Sequence, residues 1–315
     1  MRGGDSSAGP GRDGMGGPRG AGPAGPGNRS RRRLRLLGAA LLLLAGAVWN
    51  PAITVERPVT DVVVVLDISQ SMDVPDQRLD GRPVSRLAFA KAALREALGA
   101  LPCGSRLGLA IFSEYRILLL TAPAEVCGAH AELVALLGRL DNQIAWTNAS
   151  EIRKGVLNAR EAALALPERP ALVFITDGQE APPLGPGQGR HFDGKPGELR
   201  GLLLGVGGDL PQPIPKTDKL GHALGLWSEA EVVQGAAGGQ HLSALDEPHL
   251  IQLAAEIGFD YRRLDRPEAL AGLLGAANLR QPASGPLALG DGFALAALAL
   301  IALAFSGGWR RSARR

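Results

Sequence analysis

The sequence predicts an α/β domain on a doubly wound, mostly parallel, Rossmann-like sheet, with a transmembrane helix flanking it on either side. Three observations carry this. Asp61-Val-Val-Val-Val-Leu-Asp67 is an apolar run bounded by carboxylates, the pattern of a strand buried on both faces. Ala171-Leu-Val-Phe-Ile-Thr176 has the same character. Helical and strand-like segments alternate around these two, as in βαβ units.

Residues 1–33 are Gly, Pro, Arg and Ser with almost nothing to bury, and are expected to be a disordered tail. Residues 34–55 form an expected N-terminal anchor. Arg31-Arg-Arg-Leu-Arg35 precedes the apolar run Leu36 to Trp49, which has the length of a signal-peptide core and is extendable to a span. Cleaved or not, it exports the domain C-terminal to it.

The domain itself is expected over 58–276. Apolar residues at helical spacing (Leu87, Ala90, Leu94, Leu98) predict a helix from Ser85 to Gly99, with Arg86, Lys91, Arg95 and Glu96 facing out. Arg106–Phe112 and Arg116–Thr121 read as a hairpin. Ala129–Leu140 and Glu151–Leu166 read as helices, and Leu199–Val206 as a buried strand. A helix over Glu247–Ile257 capped by Asp246, a strand over Phe259–Leu264 and a helix over Pro267–Ala276 complete the domain. The stretches 178–198 and 208–228 are long Gly- and Pro-rich loops. Residues 277–286 read as a linker, 287–309 as a transmembrane helix and 310–315 as a basic cytoplasmic tail.

The pI is about 9.1, yet the excess of base sits at the two ends. Residues 51–275 carry 21 Lys and Arg against 28 Asp and Glu, so the body offers no footprint for nucleic acid. Arg clusters outside both apolar runs place the termini in the cytoplasm. The domain would then face the periplasm from the inner (cytoplasmic) membrane. Export would put Cys103 and Cys127 in an oxidising compartment, where they can close a disulfide loop.

In an open α/β sheet, ligands bind beyond the carboxyl ends of the strands. Asp67, Ser69 and Ser71 leave the first strand there, and Asp177 leaves the second. Thr147-Asn-Ala-Ser150 adds hydroxyls at a helix start. Carboxylates and hydroxyls suit a hard cation, Mg²⁺ first, with Ca²⁺ or Mn²⁺ as alternatives. No Lys or His stands at a strand end as a general base, and there is no nucleophile elbow. Gly205-Val-Gly-Gly is not a dinucleotide fingerprint. No enzyme is expected, and no catalytic or organic-cofactor residue is assigned. Glu114 and Glu180 read as solvated charges. His191, His222, His241 and His249 read as surface or capping residues.

These pieces resemble the von Willebrand factor A domain with its metal-ion-dependent adhesion site, Asp-x-Ser-x-Ser, then a Thr, then an Asp in a Thr-Asp-Gly turn. The resemblance implies metal ligation by Asp67, Ser69, Ser71 and Asp177. At the Thr position this sequence has Ser150, with Thr147 as the second candidate. It also implies a partner protein that donates an Asp or Glu to the metal. Thr176-Asp-Gly-Gln-Glu-Ala-Pro-Pro183, Gly205-Val-Gly-Gly-Asp-Leu-Pro-Gln-Pro-Ile-Pro215 and Glu247-Pro-His-Leu-Ile-Gln-Leu-Ala-Ala-Glu-Ile-Gly258 further resemble the membrane-anchored MxaL type encoded with methanol dehydrogenase. That resemblance implies a role in maturing or supplying Ca²⁺ to periplasmic methanol dehydrogenase, with the enzyme or its assembly proteins as partners. Membrane-anchored A domains of the aerotolerance type share the layout, and a generic adhesion or assembly protein of that type is the first alternative, with a metal-dependent hydrolase as the lesser one.

Overall fold

The computed structural model describes residues 26–312 apart from 146, 186–187, 219 and 236–237. Helix α1 (Pro26–Trp49) leads into strand β1 (Ala52–Asp67), and a small hairpin of β2 (Gln77–Leu79) and β3 (Arg82–Val84) follows. Then come α2 (Arg86–Ala100), β4 (Arg106–Ser113), β5 (Arg116–Glu125), α3 (His130–Gly138), α4 (Ile152–Ala165), β6 (Ala171–Thr176) and β7 (Gly201–Gly205). Four short strands, β8 (Gln212–Pro213), β9 (Pro215–Thr217), β10 (Ala223–Leu226) and β11 (Leu242–Ser243), precede α5 (Glu247–Ile257). The chain continues through β12 (Asp260–Arg263), α6 (Ala269–Leu274), β13 (Arg280–Ala288) and α7 (Gly290–Ser312).

The main sheet runs β12-β7-β6-β1-β4-β5, and β13 also pairs with β1. The pairings from β12 across to β4 are parallel, and β5 is antiparallel to β4. β1 is central because alternate residues serve opposite cores. Val62, Val64 and Leu66 pack with α2, α3 and α6, while Val63 and Val65 pack with α4 and α5. From β1 the chain first adds β4 on one side and later β6 on the other. This is the topological switch where such sheets hold ligands.

Local chemistry fixes the helix ends. Ser85 Oγ accepts from Ala88 N at 3.1 Å and starts α2. Asp246 Oδ1 accepts from His249 N at 3.2 Å, as expected for α5. Gly258, at φ +77°, ends that helix with a left-handed residue, and a Cβ there would meet the Gly197 backbone nitrogen at 2.2 Å.

The structure revises several expectations at the edges. Residues 1–25 lie outside the described residues, but 26–33 belong to α1. A proline at the first helical position and a run of arginines extend a helix readily. The anchor expected to reach 55 stops at Trp49, because Ala52–Val55 are already β1. The expected 277–286 linker is mostly β13, whose prolines are tolerated outside a central strand position. The 208–228 loop carries three short strands that build two small ribbons, β9 with β10 and β8 with β11. Among the described residues no helix is long and apolar enough to cross a membrane. The transmembrane helices expected on either side are therefore not found there. The apolar part of α1 is short and follows five arginines, and α7 opens on Gly-Asp-Gly. Considered as a unit by themselves, α1 and α7 pack together. Gly46 faces the Phe293 ring, and the Arg33 guanidinium lies 4.0 Å over Phe305.

Cys103 and Cys127 are paired, with Cα atoms 5.3 Å apart. The bridge ties the turn before β4 to the turn after β5. Glu125 reinforces it by accepting from Gly104 N (2.7 Å) and Gly128 N (2.6 Å), which holds its carboxyl below the usual range. Closing a loop of this length is worth about 3 kcal/mol. Replacing both cysteines by serine is therefore expected to lower unfolding stability by about 3 kcal/mol in urea titration. An unchanged midpoint would show that the hairpin holds without the bridge.

Candidate functional site

Asp67 closes β1 at full burial, and its two oxygens are already aimed. Oδ1 accepts from Ser69 N at 2.8 Å and Oδ2 from Thr176 Oγ1 at 2.7 Å. Thr176, at the end of neighbouring β6, is thus a positioning residue that sequence pattern alone does not single out. Its hydroxyl also accepts from Gly178 N at 3.0 Å, which shapes the turn carrying Asp177. Gly178 is required there. Its φ is +79°, and a Cβ would lie 2.8 Å from the Leu250 side chain. Burial first, then Asp177, push the Asp67 carboxyl up to about 7, against the pull of the Thr176 and Ser69 donors.

Ser69 Oγ and Ser71 Oγ lie 3.1 Å apart and both are buried. Ser150, also buried, lines the same cavity as Ser69 and Ser71. Its backbone is clamped between two loops. Ser150 N donates to Ala181 O at 2.6 Å, Ala181 N returns a bond to Ser150 O at 2.8 Å, and Glu114 N donates to Ala149 O at 3.1 Å. Its side-chain oxygen has no hydrogen-bond partner among the described residues. Thr147 Oγ1, by contrast, accepts from Ala149 N at 3.2 Å within its own turn.

Asp177 is fully buried and tied down. Its Oδ1 accepts from Gln179 N at 3.1 Å, and its Oδ2 accepts from Arg86 Nη1 at 2.7 Å and Ser243 Oγ at 3.2 Å. Arg86 is the largest correction to the sequence expectation. Expected to face out, it has no exposed side-chain surface. The reason is its place on α2, where it shares the inward stripe of Ala90, Ala93 and Ala97. Besides Asp177 it grips Asp76, with Nη2 to Oδ2 at 2.6 Å and Nε to Oδ1 at 3.1 Å, and donates to Ser243 Oγ at 2.6 Å. Burial alone would raise the Asp76 carboxyl. The Arg86 donors and Gly208 N outweigh it and hold that carboxyl below its ordinary value.

Glu180, expected to be solvated, has a side chain only 10% exposed, and Oε1 accepts from Arg153 N at 2.8 Å at the start of α4. Burial raises its carboxyl above the ordinary range. His249, expected to be a surface or capping residue, instead sits against the turn that carries Asp177, with Nδ1 2.9 Å from Gly178 O and Nε2 3.7 Å from Glu180 Oε1. Cys103, Glu125 and Cys127 cluster, but both sulfurs are in the disulfide and are not metal donors.

The donor set is therefore all oxygen: one carboxylate shielded from water, three hydroxyls and a second carboxylate shared with a guanidinium. The residues fit a hard divalent cation. Ser150 offers an unpartnered buried hydroxyl oxygen, and a cation beside Asp67 would offset the burial that pushes its carboxyl up.

Fold and site together define an α/β domain with a buried polar centre at the sheet's switch point. Residues 62–179 match the family model of the von Willebrand factor type A domain. All five candidate donors lie inside that segment. Among solved structures the chain resembles an aerotolerance-related membrane protein from Bacteroides fragilis NCTC 9343 (19% identity over 68% of this chain and 96% of that one, TM-score 0.47). It also resembles the conserved hypothetical protein BatB from Bacteroides thetaiotaomicron (18% identity, 69% and 95%, TM-score 0.48). A third is a membrane-spanning protein from Vibrio fischeri (19% identity, 68% and 94%, TM-score 0.29). No curated protein matches the chain.

Two outcomes are expected. Arg86→Met leaves Asp76 and Asp177 buried without their counter-charge and should cost about 3–5 kcal/mol in chemical denaturation. A loss under about 1 kcal/mol would show that these carboxylates are solvated. For Glu180, a raised folded pKa means that its contribution is greatest at low pH and is lost as pH rises through that pKa. Glu180→Gln should therefore gain in melting temperature relative to the wild type as pH rises above the ordinary glutamate pKa. A constant difference between the two proteins across that rise would contradict the burial account.

Proposed function

We infer that this domain is a metal-dependent protein-binding module and not an enzyme. The observation that carries the reading is Ser150 Oγ. It is buried, has no partner among the described residues and lines one cavity with Ser69 and Ser71, which follow Asp67 in the same loop. Asp67, Ser69, Ser71 and Ser150 would hold the cation, Mg²⁺ in the first instance, with Ca²⁺ or Mn²⁺ also suited to these oxygens. Asp177, shared with Arg86, would bear on it as a partly neutralised carboxylate. The cation, when bound, supplies positive charge to which an Asp or Glu of a partner protein is drawn. The protein residues hold that centre rigid and largely dry.

The broader reading, a membrane-associated assembly or adhesion module of the aerotolerance-related kind, is the one proposed. The narrower one, maturation of or Ca²⁺ supply to periplasmic methanol dehydrogenase, rests on the sequence motifs quoted above. Membrane association is supported by the paired helices α1 and α7, which expose Leu41, Leu42, Leu295 and Leu298 beside basic flanks. An orientation with the site outside the cytoplasm is supported by the paired cysteines.

Calorimetric titration of the full chain with MgCl₂ after chelation should show one saturable site that is lost in Asp67→Ala and weakened in Ser150→Ala. Saturation that is unchanged in Asp67→Ala would refute the assignment.

A further inference from the structure

The cavity that opens over Ser69, Ser71 and Ser150 has a second wall, and it is not polar. Ile214, Trp227, Val232 and Val233 form it, with Ala181 and Pro182 beside them. Most of that wall comes from the stretch after β7, beyond the segment 62–179 that matches the family model. It is anchored to the metal loop itself. Trp227 Nε1 donates to the side-chain oxygen of Gln70, the residue between Ser69 and Ser71. Trp227 N donates to Ile214 O at 3.0 Å, and Lys216 Nζ lies 4.5 Å over the indole ring.

The cavity holds about 290 Å³, at the lower limit for small-molecule clefts and suited to a single bulky side chain. Apolar side chains of the same stretch are also exposed. Val233 is 70% exposed, and the same small subdomain presents Leu210, Leu224 and Leu226 to solvent. Exposed apolar groups beside a polar centre suit contact with another protein. The cation attracts a carboxylate, and the wall a short distance away attracts an apolar group.

Building on the metal-bridge reading, we propose that the partner presents an Asp or Glu directly next to a bulky apolar residue. The carboxylate completes the metal shell, and the neighbouring side chain enters the pocket between Trp227, Ile214 and Val232. The cation then sets the requirement for an acid. The pocket sets which acidic segments are accepted.

The test uses the full-length protein with saturating MgCl₂ and four acetylated, amidated tetrapeptides: Gly-Asp-Gly-Gly, Gly-Asp-Leu-Gly, Gly-Leu-Asp-Gly and Gly-Asn-Leu-Gly. Affinities are read by saturation-transfer NMR. At least one Asp-Leu peptide should bind tenfold or more tighter than Gly-Asp-Gly-Gly, about 1.4 kcal/mol. The Asn peptide should not bind, and EDTA should abolish all binding. Val232→Ser and the exposed Val233→Ser should shrink the leucine advantage while leaving Mg²⁺ affinity unchanged. Equal affinity for the Gly and Leu peptides, still dependent on Mg²⁺, overturns the pocket's role and leaves the metal bridge standing. Leucine peptides that bind equally well in EDTA overturn both. No binding by any peptide to the Mg²⁺-loaded protein overturns the proposal.

Discussion

Arg86 joins the parts of the molecule that contribute to the site. From the first turn of α2 its guanidinium reaches Asp177 after β6, Asp76 in the loop after β1 and Ser243 in β11, all without exposed side-chain surface of its own. A charge taken this far from water is tolerated only when its partners are in place, so the three segments are ordered together or not at all. Such an arrangement contributes less to net stability than to a single geometry. Its chemical consequence is equally direct. Asp177 enters the site already shared with a cation, which leaves Asp67 as the carboxylate whose charge no side-chain cation offsets. A divalent ion held there keeps net positive charge, the condition for attracting a further carboxylate.

The sheet supplies the rest of the order. β1 pairs with β6 in parallel register from Val62 with Ala171 to Leu66 with Ile175, so Asp67 and Thr176 emerge side by side. The 2.7 Å bond between them follows from that register. Pairing with β4 on the other side brings Phe112 level with Asp67, and Phe112 O accepts from Ile68 N. The loop bearing Ser69 and Ser71 thus leaves the sheet along a fixed path. The proposed apolar contact lies elsewhere, in and after the small ribbons that follow β7. They stand over this rigid base and touch it through Trp227 and Gln70.

Much of the fold is legible in the sequence because burial leaves a plain mark. Four valines in succession can only be a strand covered on both faces, and α5 begins and ends where its aspartate and glycine say. The candidate donors Asp67, Ser69, Ser71 and Asp177 are legible as oxygen-bearing residues that come directly after two such strands. Arg86 is not, since a charged residue at a helix start reads as solvated. Only its spacing from Ala90 and Ala93 points inward, and no sequence rule names Asp76 and Asp177 as its partners. Thr176 reads as the end of a strand, and its role depends on a neighbour 109 positions away. The ribbons in 208–228 are hidden because strands of two to four residues rich in Gly and Pro carry no periodicity. The apolar runs that read as membrane spans share their helices with arginines and glycines, and no described helix is long and apolar enough to cross a membrane.

The central claim is that a divalent cation sits among Asp67, Ser69, Ser71 and Ser150. The most direct measurement is anomalous diffraction from crystals of the protein grown with MnCl₂. One strong anomalous peak is expected within bonding distance of an Asp67 oxygen and the hydroxyls of Ser69, Ser71 and Ser150. A peak absent from that cavity at full Mn²⁺ loading, or one placed elsewhere on the domain, would contradict the account.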